Sequence, residues 1–175
     1  MGQITIRELE KLDFFEGIPQ DILQNLLNES TVASYKKKEV IFHSRTRTEF
    51  VYFVLSGEVM LYNLTKHGNR KVIFILGKGR LLNQSIVSKK PNALFGEAVC
   101  PVQALKIPEG VFLRLMEQCH ELTYSILREY ERNLWRMGHQ LKNTTGNMQT
   151  ERKIAAKLWK LGRDFGVETE EGVMV

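Results

Sequence analysis

The sequence predicts an α+β chain: an antiparallel β-sandwich or roll, flanked by helices and followed by one long helix. Three observations predict it. Between residues 32 and 107, short β-branched and aromatic runs alternate with turn residues. Before and after that region, apolar residues recur at helical rather than strand period. From about Glu121 to Asn147 no proline interrupts the chain. The size fits, since 175 residues at 43% hydrophobic content suffice for one well-filled core plus an appendage. A charged share of 26% is globular, which argues against disorder.

Residues 7–29 read as helices. Leu9 and Leu12 share a face, and Phe14-Phe15 runs into Gly17-Ile18-Pro19, a turn. Asp21 is the expected cap for a helix carrying Ile22, Leu23, Leu26 and Leu27. The strand runs are Val40–Phe42, Phe50–Leu55, Val59–Leu64, Val72–Leu76, Ala93–Phe95 and Val102–Ile107. Ser56-Gly57, Gly68-Asn69, Gly77-Lys78-Gly79 and Pro91-Asn92 separate them, and these residues supply positive φ or preset a turn.

After Pro108-Glu109-Gly110, Val111, Phe112 and Leu115 mark a short helix. In the long helix that follows, Leu127, Tyr130, Leu134, Met137 and Leu141 recur at alternating steps of three and four, continuing through Thr144 to Met148. That is a 3.5-residue seam, which asks for a partner: the chain's own β-roll, or a parallel second copy in a homodimer. The homodimer is the expectation; Leu122, Ile126 and Trp135 lie off the seam and are free to pack on the roll, so both readings can hold at once. Thr150 to Phe165 reads as a basic amphipathic helix with Ile154, Leu158, Leu161 and Phe165 on one face and Gly166 as its stop. The apolar tail Gly172-Val173-Met174-Val175 and that helix face suggest a segment beyond Val175 that covers them.

The formal net charge of +5 and a pI near 9.2 favour polyanions, nucleic acid first, against the plainer reading of a lysine-rich solvated surface. Cys100 and Cys119 have no partner at metal-ligand spacing and read as buried thiols in a reducing cytoplasm. No apolar run approaches the roughly 18 residues of a membrane span. Ile6 stands where a myristoylation signal needs Ser or Thr. A soluble, cytoplasmic protein is expected.

In its order of elements the chain resembles the Crp/Fnr family of bacterial transcription regulators. Leu12-Asp13-Phe14-Phe15-Glu16-Gly17-Ile18 is similar to the family's entry helix, and the run from Val51 to Tyr62, with Ser56-Gly57-Glu58 at its centre, to a hairpin of its roll. Lys66-His67-Gly68-Asn69-Arg70 is similar to the next hairpin tip, and Ile75 to Gly79 to the approach to the effector pocket. Glu151-Arg152-Lys153-Ile154-Ala155-Ala156-Lys157-Leu158 resembles the first helix of its winged helix-turn-helix. The resemblance implies a jelly-roll-like β-roll, a double-stranded β-helix, that senses a small molecule. Residues 1–110 are then the sensing domain, 111–148 the dimerisation helix region, and 149–175 the start of a DNA-binding domain truncated before its recognition helix. Promoter DNA is the implied partner of that absent part.

Cyclic-AMP-binding members carry a Gly-Glu pair and then Arg-Ser-Ala in the pocket, where Glu accepts from the ribose hydroxyl while Arg, a hydroxyl and backbone N–H groups hold the cyclic phosphate. Here the matching stretches are Leu82-Asn83-Gln84-Ser85 and Pro91-Asn92-Ala93. Gln84 replaces the Glu, Pro91 the Arg and Asn92 the Ser. Lys89 and Lys90 are the available substitute cations, or else a solvated loop. On the long helix the family's base-contacting hydroxyls fall near Gly138-His139, where His139 is a potential donor. The expected ligand set is therefore Leu82, Asn83, Gln84, Ser85, Asn92, Ala93 and His139, for an unidentified effector other than cyclic AMP.

Two cysteines are too few for an iron–sulfur cluster. His43, His67, His120 and His139 are scattered, so no metal is expected, the cofactor is unknown, and no catalytic residues or enzymatic activity are expected. Two other classes stay open: a stand-alone cyclic-nucleotide-type module acting through protein contacts, and a cupin-like enzyme sharing the β-roll shape.

Overall fold

The computed structural model of the chain describes residues 4–144, 150–169 and 172–174. The chain divides into two compact units, Met1–Glu129 and Tyr130–Val175.

The first unit opens with α1, Ile6–Glu10, which Thr5 starts with a capping box: its hydroxyl accepts from the Glu8 N–H, and the Glu8 carboxylate accepts from the Thr5 N–H at 2.8 Å. A 3-10 turn, Asp13–Phe15, leads to α2, Gln20–Asn28. Pro19, not Asp21, precedes the first turn of α2 and no side chain caps it; Asp21 instead adds negative charge inside that turn. The strands are β1 Thr31–Tyr35, β2 Val40–Phe42, β3 Phe50–Ser56, β4 Val59–Leu64, β5 Arg70–Leu76, β6 Phe95–Ala98 and β7 Val102–Pro108. Two short runs fall differently from expectation: β1 has no counterpart in the sequence reading, and the strand expected at Ala93–Phe95 begins at Phe95.

The strands form two antiparallel sheets, ordered β1-β7-β3 and β2-β6-β4-β5. Every neighbour in the first sheet is distant in sequence, with Val32 opposite Leu105 and Phe53 opposite Leu105 from the other side. Phe42, Tyr52, Val54, Leu61, Phe74 and Leu82 are among the side chains that fill the core cluster of the roll. The opposite face of β3 is covered too. The Phe53 ring lies 4.5 Å from Phe14, 4.9 Å from Phe15 and 5.8 Å from Phe112, so the entry turn and α3, Glu109–Gln118, pack there.

Two glycines are dictated by close approach. At Gly57 the β3–β4 turn needs φ near +81°, and a Cβ there would collide with the Pro101 carbonyl. At Gly96 a Cβ would stand 2.7 Å from the Phe42 ring.

The long helix α4 is described over His120–Thr144. Leu122 and Ile126 are buried, as expected of residues facing the roll. Trp135 is 53% exposed instead, its ring 4.0 Å from that of His139. Leu127, Leu134, Met137 and Leu141 are exposed and Tyr130 is partly buried. The expected continuation of the seam to Met148 lies outside the described residues.

In the second unit, α5 spans Thr150–Phe165 and ends where Gly166 donates to the Gly162 carbonyl at 2.8 Å. Its Leu158 is 62% exposed. Beyond it the tail is not irregular: β8, Val167–Thr169, pairs antiparallel with β9, Gly172–Met174. No described helix is long and apolar enough to cross a membrane.

Candidate functional site

The segment joining β5 to β6, residues 77–94, carries six of the seven expected ligand positions. Its first part is pinned to β3. Gly79 donates to the Val54 carbonyl, Val54 to the Arg80 carbonyl, and Leu82 to the Tyr52 carbonyl at 2.9 Å. This three-bond ladder fixes the point at which the chain leaves the sheet.

Leu82 is fully buried in the core. Asn83 is buried as well, and its amide serves β3 and the residues before it: Oδ1 accepts from the Tyr52 N–H at 2.8 Å, while Nδ2 donates to the Phe50 carbonyl at 2.9 Å and to the Thr48 hydroxyl at 3.3 Å. These bonds satisfy strand groups that would otherwise be orphaned where the ladder stops. Arg80, just upstream, reaches Asp13 and the buried Glu129, each at 3.6 Å.

Gln84 bridges the two ends of the loop. Its Oε1 accepts from the backbone N–H groups of both Ala93, at 3.0 Å, and Leu94, at 3.1 Å. Nε2 makes only a long contact to the Leu82 carbonyl, at 3.4 Å. Between those ends, Ser85 is paired with Ser88 at 2.7 Å and accepts from the Lys90 N–H at 3.2 Å, closing a small internal turn in which Lys89 adopts φ near +51°. Lys89, Lys90 and Pro91 are exposed.

The far end, Asn92–Leu94, is held from outside. The Asn92 N–H donates to the Thr46 carbonyl at 2.9 Å, and its own carbonyl accepts from Arg45 at 2.7 Å. The Ser44 hydroxyl donates to the Ala93 carbonyl at 3.0 Å. Asn92 is 5% exposed, and its Nδ2 has no hydrogen-bond partner among the described residues. The structure thus brings Gln84 together with Ala93 and leaves Ser85 in its own turn. His139 belongs to the second unit, where its ring meets Trp135.

Sequence reasoning missed a second polar cluster, on β4, β5 and β6. The Glu97 carboxylate is 3% exposed and accepts from Arg70 at 2.6 Å and from the Tyr62 hydroxyl at 3.2 Å. Arg70 also lies 4.9 Å above the Tyr62 ring, which stacks on Phe95. The Arg70 guanidinium is held above its ordinary pKa by the bond to Glu97, and burial raises that of Tyr62. Buried charge requires such pairing, so the cluster fixes how β5 and β6 sit across β4. A Glu inside a four-residue strand, with its partner 27 residues upstream, gives no local signal. Among the described residues no group of three or more His, Cys, Asp or Glu is placed to hold a metal ion.

The cyclic nucleotide-binding domain profile matches residues 32–119, about half of the chain. A search of curated protein sequences returns no match. Among solved structures, the sensor domain of the transcriptional regulator DNR from Pseudomonas aeruginosa is similar at a TM-score of 0.64 and 21% identity, over 82% of this chain and 95% of that one. The c-di-GMP responsive global regulator CLP of Xanthomonas campestris matches at 0.74 and 13% identity, over 89% and 78%. The Thermus thermophilus catabolite activator protein matches at 0.64 and 15%, over 93% and 92%. At such identities these three share the fold.

Proposed function

Because the chain belongs to the cyclic nucleotide-binding domain family, we propose that it is the effector-sensing and dimerisation portion of a Crp/Fnr-type transcription regulator, responding to a small molecule other than cyclic AMP. One observation carries this reading: a β-roll is followed by α4, on which Leu127, Leu134, Met137 and Leu141 stand exposed. Exposed leucines at 3.5-residue spacing are covered by a second helix of the same spacing, and a parallel pair in a homodimer supplies one.

In this reading the loop takes the effector, the α4 pair is the lever, and α5 with the β8–β9 ladder opens the DNA-binding domain. Arg152, Lys153, Lys157, Lys160 and Arg163 give α5 a basic character suited to a position near phosphates. A small change at the loop has a route to α4 within the first unit, since Arg80 joins the loop's approach to Glu129. The polar groups offered by the loop are amides, a hydroxyl and backbone N–H, and no guanidinium stands at Pro91. A cyclic phosphate there lacks its fixed counter-charge.

Sedimentation velocity tests the lever. The parent is expected to be a dimer, and Leu134→Asp, which places a charge in the seam, to shift it to monomer. A mutant that stays dimeric and as stable as the parent removes the seam from the account.

A further inference from the structure

The turn that joins β1 to β2 is Lys36-Lys37-Lys38-Glu39, and all four residues are exposed. Its backbone is closed tightly. The Glu39 N–H donates to the Lys36 carbonyl at 3.0 Å, the Lys36 N–H to the Glu39 carboxylate at 2.7 Å, and the Lys38 N–H to the Ala98 carbonyl at 2.7 Å. This closure sets φ near +69° at Lys38, the third residue of the turn. Glycine or asparagine is the usual residue at such an angle, and a long L side chain is held there under strain. The β3–β4 and β4–β5 turns do use glycine, with Gly57 at φ near +81° and Gly68 near +78°. The backbone of the β1–β2 turn thus favours glycine at position 38, and the chain carries a cation there instead. Strain kept at an exposed position points to a function for the side chain. We propose that Lys36, Lys37 and Lys38 contact the phosphate backbone of duplex DNA from the β-roll itself. This rests on the reading of the chain as part of a DNA-binding regulator, and it places a DNA-facing surface in the first unit, whereas the basic α5 belongs to the second.

Two observations select the partner. First, the three ammonium groups are available: no ion pair among the described residues involves them, and the one carboxylate of the turn, Glu39, accepts from the Lys36 N–H. Second, no large apolar side chain stands exposed on β1, on β2 or on the turn between them. Protein interfaces are depleted in lysine and centre on aromatic or apolar anchors, and a peripheral membrane contact combines its cations with buried apolar area. A phosphate backbone asks for neither. Lysine is a flexible point charge, which suits a contact that positions a duplex without reading its sequence. The net charge of +5 adds a general attraction to polyanions.

The test titrates the whole chain with random-sequence duplex DNA over a series of salt concentrations. Each phosphate contact contributes roughly 0.9 to the slope of log affinity against log salt. Lys36→Gln with Lys37→Gln and Lys38→Gln should therefore lower the parent's slope by about two to three. Lys66→Gln with Lys71→Gln and Lys90→Gln removes the same charge from other exposed positions of the first unit, and should leave the slope within about one of the parent. A parent that binds no DNA at low salt overturns the proposal. So does a fall of less than about two in the first variant, or an equal fall in both.

Lys38→Gly separates the contact from the fold. It relieves the turn, so the urea midpoint should rise while DNA binding weakens. A lower midpoint contradicts the strain argument, unchanged DNA binding contradicts the contact, and either result overturns the proposal. Poly-glutamate and phosphatidylglycerol vesicles, offered at equal anionic charge, represent the other occupants. If losing the turn lysines weakens binding to either of them more than to DNA, the surface serves an acidic protein or a membrane and the proposal falls. None of these outcomes touches the dimer measured by sedimentation, so the phosphate contact and the regulator reading fail separately.

Discussion

Asn83 and Gln84 are neighbouring amides with different work. The sequence reading expects both in the effector pocket, but position does not say where a side chain finds its partners. Asn83 is turned to the strand and spends its donors and acceptor on β3, whereas Gln84 reaches across the loop to the Ala93 and Leu94 N–H groups. What was legible is the departure from the cyclic-nucleotide pattern at Gln84, Pro91 and Asn92. What was not legible is that Gln84 satisfies the loop's own donors, because that contact depends on a closure set by Ser44, Arg45 and Thr46, some forty residues upstream. Another residue-scale consequence is alkaline. Burial, and after it the neighbouring Tyr52 and Glu39, push the Tyr35 hydroxyl up to about 12 from the ordinary 10. A folded-state value above the unfolded one means that the stability tied to neutral Tyr35 is complete below pH 10 and is lost as pH rises through about 12. The urea midpoint of the parent should fall across that window, and Tyr35→Phe should reduce the fall, leaving the slopes of Tyr52, Tyr62 and Cys119, which burial also raises. Parallel curves for the two proteins would show that Tyr35 is not the group responsible.

At the scale of elements, legibility followed the number of faces an element buries. The helix α5 was read to its limits because one face is apolar and Gly166 stops it. In β3, Val51 to Val54 is buried without alternation, because the second sheet covers one face and the phenylalanines of the entry turn and α3 the other. A continuous apolar run still marks it as a strand, though not which side chain faces which layer. The first strand escaped notice for the opposite reason: Thr31–Tyr35 is a half-exposed edge of its sheet, with a pattern too mild to stand out from its neighbours. Gly138 raises a question that the helix itself answers. An added Cβ there meets nothing within 4 Å among the described residues. Gly138→Ala should then stabilise the protein by up to about 1 kcal/mol, as expected for an exposed helix interior. Chemical denaturation reads this directly, and a loss of stability would instead mean that the partner helix passes close to Gly138.

For the whole molecule, the class of fold follows from strand spacing and a switch of period, but the pairing of strands does not. The neighbours β1 with β7 and β2 with β6 are joined by contacts across roughly 55 to 75 residues, and the Glu97–Arg70–Tyr62 cluster that ties three strands together spans 27 and 35. Family membership bridges that gap, since the matched profile covers the roll from β1 to the end of α3. It also sharpens the central question, because the proposal that this domain does not bind cyclic AMP requires a difference where the phosphate would lie. Three differences act in one direction. Pro91 offers neither charge nor N–H. Gln84 is neutral and already engaged with the N–H pair. Asn92 turns its backbone to Thr46 and Arg45. Losing the guanidinium alone costs about 2–5 kcal/mol on the scale for one partner of a buried charge pair, or roughly two to four decades in affinity. Titration calorimetry of the parent with cyclic AMP is the most direct measurement. The expected result is no saturable heat at micromolar concentration, with binding created by Pro91→Arg combined with Gln84→Glu; a saturable low-micromolar isotherm in the parent would contradict the account and move the missing positive charge to Lys89 or Lys90.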